Sequence, residues 1–120
     1  SDSFSLNSHS RNLRDSQLIR LKNSGGVVGV NLYPPHLTNS DLCVPDTVAK
    51  HIIHFLNTAG HGTVCLGCDF DGISHTTDGL ENVSKMPNLK LALVRNGIPS
   101  EICEDIFFNN AYSFLIKHLI

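Results

Sequence analysis

The chain has 120 residues, a formal charge of -2 and 41% apolar residues, enough for one ordinary core in a domain of roughly 100–150 residues. So even a charge balance offers no basic face for nucleic acid and no acidic tail. No apolar run approaches the ~18 residues a membrane helix needs. Four cysteines are too few for a disulfide framework and suit a reducing, cytoplasmic setting. Ser1 carries no basic and apolar leader, as expected of a trimmed end without a signal peptide.

Residues 1–10, rich in Ser and Asn, are expected to be loop. Asp15 is placed to N-cap a helix to about Asn23, with Leu18, Ile19 and Leu21 at its apolar positions. Gly25-Gly26 ends that helix. The run from Val27 to Tyr33, stopped by Pro34-Pro35, reads as a strand buried on both faces, as in a parallel sheet. After a loop, Asp46 can cap a second helix in which Val48, Ile52, Phe55, Leu56 and Ala59 form one buried stripe. Thr63 to Asp69 is a second short strand, followed by a long loop from Phe70 to Lys85. Leu89 to Val94 gives a third helix ending at Asn96-Gly97, and Ser100 caps a fourth near Glu101–Phe108. Asn110 caps the last, which runs to Ile120.

Alternation of strand and helix implies right-handed crossovers and a parallel sheet. Two strands cannot complete such a sheet, and a full (β/α)8 barrel takes about 250 residues. The expected class is therefore α/β, with residues 1–120 as the C-terminal portion of one TIM barrel domain: about two strands with flanking and terminal helices.

The strongest chemical feature is Leu66-Gly67-Cys68-Asp69-Phe70-Asp71-Gly72. It puts carboxylates at the C-terminal edge of a parallel sheet, where barrel enzymes build their active sites. A carboxylate there can hold an activated water and move its proton; equally, Asp69 can serve only to cap the loop. Arg11, in a loop entering a helix, can grip a carboxylate bidentately or simply be solvated. His51 and His54 have a zinc-binding spacing, but lie on an outer helix without a carboxylate or cysteine partner. Cys65-x-x-Cys68 lies within a strand and reads as buried small residues rather than a redox or zinc motif. His9, His36, His61 and His75 each read as surface or packing histidines.

Arg11-Asn12-Leu13, the stretch Gly25 to Pro35, Gly67-Cys68-Asp69-Phe70-Asp71-Gly72 and Asp78-Gly79-Leu80-Glu81-Asn82-Val83-Ser84 occur in one order through most of the chain. Together they resemble the membrane (renal) dipeptidase family of zinc peptidases, in its bacterial branch. The resemblance implies a barrel that hydrolyses dipeptides, often with a D-residue on the C-terminal side, using two zinc ions that activate a bridging water. On that resemblance Asp69 matches the catalytic aspartate of the last strand, and Arg11 the arginine that binds the substrate carboxylate. Tyr33 would line the substrate pocket. Cys68 departs from the family pattern, which has glycine there.

Ser8-His9-Ser10 looks like the family's metal-ligand motif, but its spacing to Arg11 is wrong. The spacing of the family places that histidine immediately ahead of Ser1, so no metal ligand is assigned within these residues. The implied partners are a dipeptide, the remaining N-terminal part of the barrel and, through an uncovered apolar face, further copies of the chain. This chain alone is expected to be inactive. Two other readings stay open: a truncated barrel that only assembles or binds, and another metal-dependent amidohydrolase or phosphoesterase on the same barrel.

Overall fold

In the computed structural model, which describes residues 1–119, β1 (Val28–Asn31) and β2 (Val64–Cys68) pair in parallel. The expected end of the last helix at Ile120 lies outside the described residues. Val28, Gly29 and Val30 stand opposite Val64, Cys65 and Leu66, but Asn31 stands opposite Cys68. Gly67 is thus left over as a bulge, the device by which a strand bends and redirects the residues beyond it.

The strands join through α2 (Pro34–Leu37) and α3 (Pro45–Ala59), and β2 leads to α4 (Met86–Arg95). A final helix starts as α5 (Ser100–Glu104), passes through a π-helical segment (Asp105–Asn109) and ends as α6 (Asn110–Leu119). α1 (Asp15–Asn23) precedes β1 and packs on α3.

The stripe expected on α3 is there: Val48, Ile52, Phe55 and Ala59 are buried, with Leu18, Val30, Val64, Leu89, Leu93 and Ile106 around them. Each fully buried aliphatic or aromatic side chain of this size stabilises the fold by about 1.5–3 kcal/mol. The strands themselves differ from expectation. Val28 and Val30 are buried, whereas Gly29 and Asn31 are half-buried and Gly67 is exposed. Cys65, the register partner of Gly29, is nevertheless buried.

Four caps are also corrected. The α1 cap is Arg14, whose N–H donates to Gln17 Oε1 at 2.8 Å. Asp15 instead meets His54 Nε2 at 2.8 Å, tying α1 to α3, and that hydrogen bond holds its carboxyl below the usual range. At α3, Val44 N–H donates to Thr47 Oγ1 at 3.2 Å and Pro45 takes the first helical position, where no N–H is missed. Asp46 is used by α4, accepting from Arg95 Nη2 on both oxygens at 2.9 Å. Pro99, not Ser100, precedes α5. Asn110 is helical and caps nothing: its side chain donates to the carbonyls of His61 and Val64 at the start of β2.

His51 is spent on structure. Its Nδ1 accepts the Ser3 N–H at 3.0 Å and its Nε2–H donates to the Leu37 carbonyl at 2.8 Å, with the ring 1% exposed. It staples the N-terminal loop and the α2 turn to α3. Burial holds its pKa below the ordinary imidazole value, so the stability it contributes is present above the unfolded value and declines as acid protonates the unfolded form. We expect His51→Leu to cost roughly 2–4 kcal/mol, since two buried backbone groups lose their partners. Urea denaturation at pH 7.5 would check this; an unchanged midpoint would mean that these bonds contribute nothing net.

Candidate functional site

Beyond Val30 the parallel register is broken, and the chain leaves β2 through two consecutive non-glycine residues in the left-handed region, Cys68 at φ 45° and Asp69 at φ 70°. Such conformations cost an L-residue roughly 1–2 kcal/mol each and concentrate where a side chain must be aimed. A glycine at position 68 would meet this backbone without strain. Asp69 is turned back over Gly72, whose N–H donates to the Asp69 carbonyl at 3.1 Å. A Cβ on Gly72 would overlap the Asp69 carboxylate, so any side chain there would move the carboxylate out of this pose.

The N-terminal loop, which reads from sequence as simple coil, is a buried polar knot. Asn12 is its hub. Its Nδ2 donates to the carbonyls of Asn7 at 3.1 Å and His36 at 2.6 Å, while its Oδ1 accepts the Asp2 N–H at 3.1 Å. Asn7 Nδ2 reaches the Pro35 carbonyl at 2.9 Å. These bonds fasten the loop carrying Arg11 to the turn after β1, which carries Tyr33 and His36. On the far side, Thr77 Oγ1 donates to the Leu32 carbonyl at 2.8 Å and Leu80 is fully buried, pinning the loop after Asp69 to the same turn.

The result is one cleft of about 510 Å³, lined by Ser1, Arg11, Asn31, Tyr33, His36, Asp69, Gly72, Ile73 and Ser74. Arg11, Tyr33 and Asp69, which the family resemblance assigns to one site, lie around it together. Sequence reasoning misses His36 and Asn31. His36 reads as a surface or packing histidine, and its only sequence signal is its place just after Pro34-Pro35 at a strand end. Its ring stacks obliquely on His9, with centroids 4.4 Å apart, and meets the edge of Tyr33 at 5.1 Å; His75 touches Tyr33 at 5.3 Å.

Asp2 lies beneath the cleft. It is fully buried, with Oδ1 accepting the Asn31 N–H at 3.1 Å and Oδ2 unpartnered. Burial pushes its carboxyl up to about 7, against the lowering effect of the Asn31 N–H. The folded form therefore holds a proton that the unfolded chain releases at lower pH, and stability falls as pH rises from about 4 towards 7. We expect Asp2→Asn to flatten this decline in melting curves taken across that range.

Among the described residues, no group of three or more His, Cys, Asp or Glu side chains could hold a metal ion. His51 and His54 are committed to structure, and Cys65 Sγ donates to the Val28 carbonyl at 3.4 Å. The residues present do not form a metal centre by themselves. No helix among them is long and apolar enough to cross a membrane.

The profile described as "Membrane dipeptidase (Peptidase family M19)" matches residues 1–115. The chain is 37% identical over 117 residues to the dipeptidase tcpJ of Claviceps purpurea, covering 96% of this chain and 27% of that protein. It is 41% identical over 100 residues to the dipeptidase aclJ of Aspergillus oryzae, covering 82% and 24%. Its fold superposes with a TM-score of 0.89, at 28% identity, on a Rhodobacter sphaeroides metallopeptidase liganded with a phosphinate mimic of the dipeptide L-Ala-D-Ala; 97% of this chain and 34% of that one are covered. A metallopeptidase described as dipeptidase AC of family M19 gives 0.88 at 28% identity, covering 96% and 34%.

The fold thus matches part of the barrel of these metallopeptidases. The chain belongs to the membrane dipeptidase family, M19. It spans about a quarter of the length of these curated relatives. Placement on a bacterial branch is not supported, because these curated relatives are fungal.

The Gly72 contact gives a direct check. If Asp69 takes part in a reaction of the intact protein, Gly72→Ala should lower turnover about tenfold or more by displacing its carboxylate, as expected when a reacting group is misplaced by an ångström. Gly62→Ala, at a glycine with open space around it, should leave turnover unchanged. Equal activity of the two variants would mean that the aspartate's position is not critical.

Proposed function

We propose that the intact protein of which this chain is part is a metal-dependent dipeptidase, accepting dipeptides that include L,D forms. The observation that carries this is the convergence of Arg11, Tyr33 and Asp69 on one cleft at the C-terminal end of the parallel strands. Zinc, as two ions on ligands outside the described residues, would supply the low-pKa water that such hydrolysis uses. Asp69 takes a proton from the attacking water and returns it to the leaving amine. Arg11 grips the substrate's terminal carboxylate, and Tyr33 closes the cleft wall.

The described residues have no metal centre, so the chain alone is inactive in this reading. Its natural partner is the remainder of the barrel. The half-buried Gly29 and Asn31 and the exposed Gly67 support this, as do the exposed Phe108, Tyr112, Leu115, Ile116 and Leu119 on the terminal helix. Association between copies through that helix is the alternative use of the same surface. Four free thiols suit a reducing, cytoplasmic setting.

The test is an assay of the intact protein, loaded with zinc, against L,L- and L,D-dipeptides and a phosphoester. Dipeptide cleavage is expected. Asp69→Asn should then lose at least ~100-fold in turnover with metal content kept. Phosphoester hydrolysis alone, or no hydrolysis, would overturn the reading.

A further inference from the structure

Besides Arg11 and Asp69, the cleft holds His36, whose tautomer the hydrogen bonds determine. The Tyr33 N–H can only donate, and it reaches Asn31 Oδ1 at 3.3 Å. The other end of the Asn31 carboxamide is therefore its NH2, and that end lies 2.8 Å from His36 Nδ1. Nδ1 must accept. In the neutral ring the proton then sits on Nε2, for which the described residues provide no acceptor.

The ring is also held in place. The His36 N–H donates to the Tyr33 carbonyl at 3.0 Å, its own carbonyl accepts from Asn12, and its faces meet His9 and Tyr33. His9 is fixed in turn, because its Nδ1 accepts the Arg11 N–H at 3.1 Å. Arg11 and His36 are thus coupled through one imidazole as well as through Asn12.

We propose that His36 is a binding residue for the carboxylate that Arg11 grips, presenting a neutral Nε2–H donor into the cleft, with its tautomer set by the positioning residue Asn31. The proposal rests on the dipeptidase reading and deepens it by adding a recognition group for the substrate's C-terminal end. A neutral donor suits this place. Burial of the ring, and then the nearby charges of His9 and Arg11, hold His36 below the ordinary imidazole range, while Asp69 pulls the other way. Arg11 supplies the charge and His36 the direction.

The experiment compares intact, metal-loaded wild type with His36→Phe and His36→Gln on L-Ala-D-Ala and its C-terminal amide. For the free acid, His36→Phe should raise KM about tenfold with kcat within about twofold, the size of one lost hydrogen bond to a charged group. The amide should show little change, and His36→Gln, which keeps an N–H donor, should recover most of the loss. Equal losses on acid and amide, or a fall in kcat alone, would make His36 a packing residue and overturn the proposal. If wild type cleaves no dipeptide, the underlying reading fails. The contact is then judged separately by titrating D-alanine and following the 15N resonance of His36 Nε2. A protonated Nε2 that shifts on titration, with Asn31→Asp moving protonation onto Nδ1, supports the assignment; no shift refutes it.

Discussion

The parallel pairing of β1 with β2 holds for three residues and then slips by one, and most of what distinguishes this chain depends on that slip. Had the ladder continued, Asn31 would stand opposite Gly67, and the residues after it would extend straight beyond the sheet. The extra residue instead turns the strand end over, puts Cys68 and Asp69 in left-handed conformations and brings the carboxylate back onto Gly72. The cost is local strain of a few kcal/mol. It is offset by the core beneath the same strands, where Val30, Val64, Ile52 and Phe55 are buried.

A second constraint holds the opposite wall of the cleft. Arg11 sits on a loop with no regular structure of its own, yet Asn12 next to it satisfies backbone groups at Asp2 and Asn7 of that loop and at His36 in the turn after β1. Fully paired buried amides of this kind specify one arrangement, because any alternative leaves several polar groups unpaired. His51 does the same one layer down. The cleft is therefore assembled by polar satisfaction around its mouth and by apolar packing under its floor.

Elements with strong periodicity or clear stops are readable from the sequence alone. The α3 stripe, the end of α4 at Asn96-Gly97 and both strands are legible because apolar spacing and glycine report directly on burial and backbone. The caps are not, since Asp15, Asp46 and Asn110 have cap chemistry but are claimed by distant partners: His54, Arg95, and the carbonyls of His61 and Val64. Such tertiary claims leave no local trace. Asp69 and Arg11 are legible as residue types at telling places, and the motif resemblance brings them into one site. His36 is not, because a lone histidine after two prolines carries no signal until Asn31 and His9 are seen around it.

The contact of Asn110 with the start of β2 has a further consequence. Helix α6 is anchored to the strand at the end remote from Asp69, so the strand is moored at one end and carries the proposed reacting aspartate at the other. Such polarity separates two kinds of evolutionary freedom. Changes on the exposed face of α6 can then accumulate while the aspartate keeps its pose, and changes around the bulge can re-aim the aspartate while the mooring is untouched. The two kinds of divergence are thereby independent within one short polypeptide.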